Sequence, residues 1–192
     1  HDVGKALNPM FFIENQPQGQ MNAHDDMDPA QAAATIIAHV TDGVALARQY
    51  RLPRRIDDFI LEHHGTMITR YQFNKAIEAA GGNASKVDKE NFRYPGPRPR
   101  SRETALLMLA DGVEARARAE RPQDEEALRK VVLSTIESAQ KQGQFDNTQL
   151  TLRDLSIITE SFVNVLRGTH HPRVSYPKEE SAVTNVLTAP RK

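Results

Sequence analysis

Apolar residues recur at spacings of three and four along most of this chain, and glycines and prolines fall between the segments. That period is the one by which an α-helix buries a single face. No segment shows the strict alternation of apolar and polar residues that marks a half-buried strand. The pattern therefore predicts an all-α fold, a compact bundle of helices around one core.

Caps and breakers set the predicted helix boundaries. Asp28 is an N-cap before Pro29 at the first helical position, and this helix should run to about residue 50. Gly168 should end the last helix, because glycine is common just past a helix C-terminus. The other helices are predicted over residues 53–64, 68–80, 101–119, 124–142 and 152–167. In the helix that Ser101 begins, the buried stripe should hold Leu106, Leu109, Ala110, Val113 and Ala117.

Residues 92–99 read Phe-Arg-Tyr-Pro-Gly-Pro-Arg-Pro. Three prolines at alternate positions exclude a helix and favour an extended, polyproline-like path over the surface. At the other end, residues 178–192 follow Tyr176-Pro177 and are expected to form a flexible tail. The predicted domain therefore spans residues 1–177.

Composition narrows the function. The 192 residues suit one domain with a sizeable core. Basic and acidic residues number 25 each, so nothing favours a nucleic-acid polymer or an anionic membrane surface as partner, and a small ligand is expected. Cysteine is absent, which leaves His, Asp and Glu as the strong metal ligands. No uninterrupted apolar run approaches the roughly 18 to 20 residues that cross a bilayer.

Histidines and aspartates follow one another in an order that indicates a metal site. Imidazole and carboxylate suit divalent ions such as iron, manganese or zinc, and ligands from separate helices can hold two ions side by side. Such an ion pair usually cleaves phosphate esters. The candidate ligands are His1, Asp2, His39, His63, His64 and Asp111.

Each candidate ligand also has a structural interpretation. His39 lies among apolar residues and suits a core histidine bonded to a backbone carbonyl. Asp111 lies within an apolar helical face, where an ionised carboxylate is destabilising unless a cation or strong donors meet it, and an arginine would also serve. His63 and His64 would diverge by about 100° on a regular helix, so only a loosened last turn before Gly65 lets both face one ion.

Other polar residues are less specific. We interpret His24 as part of a solvated loop, and His170-His171 as structural or exposed. Arg93 and Tyr94 offer a cation and an aromatic face beside the proline segment, a combination suited to phosphate and base contacts. Equally, these two side chains could only pin that loop to the bundle.

Several motifs resemble those of the HD-domain metal-dependent phosphohydrolases. They are His-Asp-Val-Gly-Lys at 1–5, His-Val-Thr-Asp-Gly at 39–43, Glu-His-His-Gly at 62–65 and Ala-Asp-Gly-Val-Glu at 110–114. A second set resembles, more narrowly, the cytoplasmic domain of the seven-transmembrane HD proteins of the PgpH type. This set is Phe-Ile-Glu-Asn-Gln at 12–16, Phe-Arg-Tyr-Pro-Gly-Pro at 92–97 and His-Pro-Arg-Val-Ser-Tyr-Pro at 171–177.

The resemblance implies an HD-type helical bundle that opens cyclic di-AMP to linear pApA with two iron or manganese ions. The implied ligands are Asp2, which bridges both ions, His1 and Asp111 on one ion, and His39, His63 and His64 on the other. A further histidine would come from a preceding helix. We therefore expect this chain to be a fragment, the cytoplasmic domain of a bacterial inner-membrane protein whose transmembrane region precedes it, with a homodimer as a possible assembly.

The chemistry expected of such a site follows from its ligands. A hydroxide held between two cations is available at neutral pH and can attack phosphorus in line. Asp2 and Lys5 are the candidate catalytic residues, and Lys5 would orient a phosphate or assist the leaving oxygen. Two other functions stay open at this point: an HD hydrolase of another nucleotide, and a non-catalytic module that senses a nucleotide.

Overall fold

The computed structural model describes residues 1–16, 24 and 26–169. Within these ranges the chain forms helices and no strand, because its single β-bridge is the isolated pair Ile68 and Arg93. The helices are α1 (Pro29–Gln49), α2 (Arg54–Glu62), α3 (Arg70–Ala79), α4 (Arg102–Glu120), α5 (Glu125–Lys141) and α6 (Leu152–Thr169). The prediction of an all-α bundle is confirmed. The predicted tail, residues 178–192, and His170-His171 lie outside the described residues.

Side-chain caps begin α1, α4 and α6 where the sequence predicted them. Asp28 accepts hydrogen bonds from the first turn of α1 at 3.0 and 3.1 Å. Ser101 and Thr104 form a capping box at the start of α4. The backbone N–H of Asp154 donates to the Thr151 hydroxyl at 3.1 Å at the start of α6. These bonds satisfy N–H groups that a helix cannot pair internally.

Two details of the helix prediction are wrong. Gly168 does not end α6, since the helix continues through Thr169 and Gly168 is not among the glycines with positive φ. In α4, Leu106 is 41% exposed, whereas Ala105 and Met108 are buried. The inward face of α4 is therefore displaced by one position in its first turns, because α4 faces both α2 and α5 and not one neighbour alone.

Phe92 ends a short 3-10 helix (Lys89–Phe92), and residues 93–99 contain no helix, as predicted, but the segment does not run over the surface. Phe92 and Tyr94 are both buried. The Thr69 N–H donates to the Phe92 carbonyl and the Tyr94 N–H to the Met67 carbonyl, at 2.8 and 2.9 Å. This pairing uses the backbone of residues 67–69, so α3 begins at Arg70 and not at residue 68.

The first sixteen residues, for which the pattern predicted no element, form short 3-10 helices. They are Val3–Leu7, Pro9–Phe11 and Ile13–Asn15. The first of them lies directly on α1 at Gly4, which is buried. A Cβ at Gly4 would overlap the carbonyl oxygen of His39 and lie 2.6 Å from the Gly43 N. Glycine therefore allows the close approach that holds His1 and Asp2 against α1.

The helices enclose more than one apolar cluster. The largest joins α4, α5 and α6 and contains Leu109, Val113, Val132, Ile136 and Val163. Another joins α1 to α2. By length and composition alone, α1 is the one described helix that could cross a membrane, a test that the core helix of a globular domain also passes. Its buried face is occupied here by contacts with α2, α3 and the first 3-10 helix.

Candidate metal centre

The six predicted ligands come from four separate parts of the chain, and the fold brings them together. His1 and Asp2 precede the first 3-10 helix, and His39 lies in the middle of α1. His63 and His64 follow the end of α2, and Asp111 lies in the middle of α4. The close approach at Gly4 sets the first pair against His39.

Three ligand atoms face one another at the buried side of this cluster. The Nε2 atoms of His39 and His63 are 3.2 Å apart, and the Asp2 Oδ1 lies 3.6 Å from each. The Nδ1 of His39 bonds the Ile36 carbonyl at 2.5 Å, and the Nδ1 of His63 bonds the Ile60 carbonyl at 2.7 Å. Since a carbonyl only accepts, each Nδ1 carries a proton, and in this neutral tautomer the Nε2 is left with a lone pair.

In the part of the chain that the structure describes, no other group donates a hydrogen bond to either Nε2 atom. The Asp2 Oδ1 is buried and has no hydrogen-bond partner among the described residues. Leaving a buried carboxylate oxygen without a partner is costly, and a divalent cation is the partner that would satisfy it together with both imidazoles. Imidazole and carboxylate are ligands suited to iron, manganese and zinc. The residues therefore fit a metal ion.

His64 joins this group because α2 ends before it. The helix stops at Glu62, and the Gly65 N–H donates back to the Glu62 carbonyl at 3.0 Å. This is the loosened turn that the sequence required if both imidazoles were to face one ion. His39, His63 and His64 each offer a ligand atom, and these atoms lie within 4.8 Å of one another.

A second group lies on the more open side. The His1 Nε2 is 3.1 Å from the Asp2 Oδ2 and 3.6 Å from the Asp111 Oδ1. The Asp111 Oδ2 is 3.8 Å from the Nδ1 of His64. His1, Asp2 and His63 form a second set of atoms close enough to share one ion. Hydrogen bonds to Asp111 and Asp2 raise the pKa of His1 to about 9, so without a metal a protonated imidazole supplies the positive charge.

The other ligands have the protonation states that metal binding needs. Burial lowers the pKa of His39 and holds that of His64 well below its ordinary value, so both rings are neutral. Burial is the largest influence on the pKa of Asp111 and acts to raise it, but the hydrogen bond from His1 and the neighbouring imidazoles together outweigh burial, so the net pKa is lowered. The Asp2 carboxyl is also held ionised, against its burial, by neighbours that include His1 and Lys5. Metal ligation requires neutral imidazole and ionised carboxylate.

Lys5 lies beside the cluster, as its predicted role requires. Its Nζ is 2.9 Å from the Asp2 Oδ2 and 2.5 Å from the Glu14 Oε1. Burial would lower the pKa of Lys5, but the two carboxylates outweigh it and raise the pKa, so the ammonium stays charged. The pattern analysis did not single out Glu14, which is nine residues away along the chain.

The structure separates Arg93 from Tyr94. The Tyr94 ring is buried and stacks on His64, with ring centroids 4.1 Å apart and planes 24° from parallel. Arg93 donates to Glu90 at 2.7 and 2.8 Å and to the Thr66 carbonyl at 2.7 Å. Tyr94 therefore lies in the cluster, whereas the Arg93 guanidinium fastens the loop to the turn after His64.

His24 is not solvated, so that interpretation is wrong. It is 6% exposed, and its ring meets Phe11 edge to face with centroids 4.1 Å apart. The polar residues around it in sequence masked this burial, because the partner ring lies in a 3-10 helix that the pattern did not predict.

Two cavities open from the cluster. Their volumes are about 370 and 530 Å³, within the range of about 300 to 1,000 Å³ that ligand pockets take. The smaller extends to Lys5 and Arg118, and the larger extends between α4 and α5 to Arg116. Both are lined by Ile36, His64, Tyr71, Gln72, Tyr94, Asp111 and Ala115. The candidate metal ligands His64 and Asp111 thus lie where the two cavities meet.

Two buried polar residues to which the sequence analysis assigned no role hold the turn at His63 and His64. Glu62 accepts from the Arg100 backbone N–H at 2.9 Å, from the Arg100 Nε at 2.8 Å and from the Thr104 hydroxyl at 2.7 Å. Gln144, in the loop between α5 and α6, accepts from the Thr66 N–H and donates to the Thr66 hydroxyl, both at 3.0 Å. The turn is therefore fastened to α4 on one side and to the α5–α6 loop on the other.

We expect Gln144→Leu to weaken metal binding about 10- to 100-fold, the usual effect of losing a residue that orients a ligand. The change removes both bonds to Thr66, two residues after His64, and leaves every ligand in place. Titration of the metal-free protein with Mn²⁺ measures the effect. Gln140→Leu, on the exposed side of α5, is the matched control. Equal affinity in both variants would mean that Gln144 does not position the turn.

A family model described as the HD domain matches residues 1–116, and the chain belongs to the HD domain family. The fold agrees with the solved HD domain of the Listeria monocytogenes phosphodiesterase PgpH, at 32% identity and a TM-score of 0.80 over 89% of this chain and 78% of that one. The same domain in complex with cyclic di-AMP gives 32% identity and a TM-score of 0.81 over 92% and 79% of the two chains.

Curated relatives support the same family membership. The cyclic-di-AMP phosphodiesterase PgpH of Bacillus subtilis is 36% identical over 95% of this chain and 25% of its own length. The protein of the same name from Listeria monocytogenes is 33% identical over 94% of this chain and 24% of its length. An uncharacterized Synechocystis protein is 40% identical over 99% of this chain and 23% of its length. The chain thus spans about a quarter of the relatives it matches.

Proposed function

We propose that this chain is a metal-dependent phosphodiesterase domain that hydrolyses cyclic di-AMP to linear pApA. The observation that carries the proposal is the unpartnered Asp2 Oδ1, which faces the lone pairs of His39 and His63 in a cluster that opens into two cavities. The likeness to an HD domain whose structure holds cyclic di-AMP supports the choice of nucleotide.

We propose that the site holds two divalent ions, iron or manganese. Two sets of ligand atoms support this proposal. One set comes from His39, His63 and His64, and the other comes from His1, Asp2 and His63, with Asp111 beside His1. When bound, such ions would activate water and neutralise charge on the phosphoryl oxygens.

The residues around the ligands would orient the substrate. Lys5, held charged between Asp2 and Glu14, places an ammonium where charge develops on a phosphate or a leaving oxygen. Tyr94 holds the ring of His64 by stacking and forms part of the wall of both cavities. Arg93 would act on the substrate only through the loop, because its donors are engaged by Glu90 and Thr66.

The wider assignments are also proposals. Residues 1–177 would form the HD domain, the cytoplasmic part of an inner-membrane protein that is able to pair as a homodimer. These assignments rest on the motif resemblance and on the match to about a quarter of each longer relative.

A substrate panel tests the activity. With Mn²⁺ bound, the protein should convert cyclic di-AMP to pApA faster than it cleaves cyclic di-GMP, a linear dinucleotide or a guanosine tetraphosphate, as followed by chromatography of the products. Faster cleavage of another nucleotide would assign a different HD hydrolase. Binding of cyclic di-AMP without cleavage, in protein that carries metal, would instead indicate a nucleotide sensor and overturn the proposed activity.

A further inference from the structure

Gln72 occupies an unusual position for an amide side chain. It lies in the first turn of α3, is 7% exposed, and lines both cavities beside His64 and Asp111. Among the described residues, none donates a hydrogen bond to its side chain or accepts one from it. Its amide oxygen and nitrogen are not among the fully buried side-chain atoms that lack a partner, so they are open to the two cavities that Gln72 lines. Water can hydrogen-bond to them there until a ligand with matching groups displaces it.

The surroundings of Gln72 suit a flat aromatic ligand. Where the cavities meet, the wall that they share with Gln72 includes the apolar side chains of Ile36 and Ala115 and the ring of Tyr71. Such walls can cover the faces of a nucleobase, and one convergent amide can then read its edge. The candidate metal ligands lie in the same walls, so a nucleotide with its phosphate at the metal centre can place a base here.

We propose that Gln72 is a specificity-determining residue that recognises the adenine base of the substrate, an inference that rests on the proposed function. An amide carries one acceptor and one donor group, and adenine presents a donor at N6 next to an acceptor at N7 or N1. The pairing is therefore bidentate and complementary. A carboxylate at the same position only accepts, so it cannot meet an adenine acceptor but matches the N1 and N2 donors of guanine.

Gln72→Glu separates base recognition from a structural role. With cyclic di-AMP and cyclic di-GMP as substrates, the ratio of their kcat/KM values should shift toward guanine by about 10- to 100-fold, the effect of one good bidentate contact. Gln72→Leu should lower kcat/KM for cyclic di-AMP with no gain for cyclic di-GMP. Gln140→Glu, the same change at an exposed position of α5, should leave the ratio at its wild-type value.

The metal content and the melting temperature of each variant are measured together with the kinetics. An unchanged substrate ratio in Gln72→Glu overturns the proposal, and so does a parallel loss of metal, which would make Gln72 a support of the metal centre. If the wild-type protein cleaves no cyclic di-AMP, the proposed function fails separately. The base contact is then measured by the binding of AMP and GMP to the Mn²⁺-loaded protein: loss of an AMP preference in Gln72→Glu supports it, and no preference in the wild type overturns it.

Discussion

Asp2→Asn is expected to lower the kcat/KM for cyclic di-AMP by about 10³-fold or more, the scale of losing a group on which both charge stabilisation and binding depend. Asp2 lies between the two ligand groups and faces three imidazoles: Oδ1 lies 3.6 Å from the Nε2 atoms of His39 and His63, and Oδ2 lies 3.1 Å from the Nε2 of His1. An amide keeps the size of the side chain but removes the charge and one of the two acceptor oxygens. Hydrolysis and bound metal, measured on the same sample, check the effect.

A pair of changes on α4 provides the control. Asp111→Asn should also reduce metal content and turnover, because Asp111 closes the second ligand group beside His1. Glu114→Gln makes the same chemical change one turn later on the exposed side, where its described ion pair is with Arg118, and should leave both quantities unchanged. Normal metal content and turnover in Asp2→Asn and Asp111→Asn would exclude these residues as ligands.

Gly4→Ala is expected to reduce the free energy of unfolding by about 3 kcal/mol or more, at the upper end for overpacking. The added Cβ would meet backbone atoms of His39 and Gly43, which cannot move aside as a flexible side chain can. The first 3-10 helix must therefore separate from α1 and carry Asp2 away from His39. Urea denaturation measures the change in stability, and metal titration measures the accompanying loss of affinity.

Gly168→Ala is the matched control for that substitution. Gly168 lies in α6, and no atom of the described residues lies within 4 Å of the added Cβ, so the change should raise stability by up to about 1 kcal/mol through helix propensity. If Gly4→Ala were as stable as the wild type and bound metal normally, the close contact between the 3-10 helix and α1 would not be what places Asp2.

Local signals in the sequence predicted the helices because their causes are local. Asp28, Ser101 and the Thr151–Asp154 pair each satisfy backbone donors within three residues, so the pattern of residue types is enough to find them. The end of α6 was misplaced because Gly168 is compatible with a helix interior when no neighbour or left-handed φ is required of it.

The sequence also identified the candidate metal ligands, but it did not identify the residues that hold them in place. The order of the six ligands and the Glu-His-His-Gly motif pointed to one cluster, and the turn after α2 has the form that this required. Gln144 acts through its hydrogen bond with Thr66, and Gln72 lines a cavity. Both are distant in sequence from the residues they affect, so no sequence spacing indicates either role. The burial of His24 was not predicted for the same reason. The ring that contacts it, Phe11, lies in a segment without helical periodicity.

Diffraction from crystals of the Mn²⁺-loaded protein, with anomalous scattering recorded at a wavelength where manganese contributes strongly, tests the central proposal most directly. Two anomalous peaks about 3.5 to 4 Å apart are predicted, one among His39, His63 and His64, the other beside His1 and Asp111, with Asp2 between them. A single peak, or peaks away from these side chains, would contradict the two-ion centre on which the proposed phosphodiesterase activity depends.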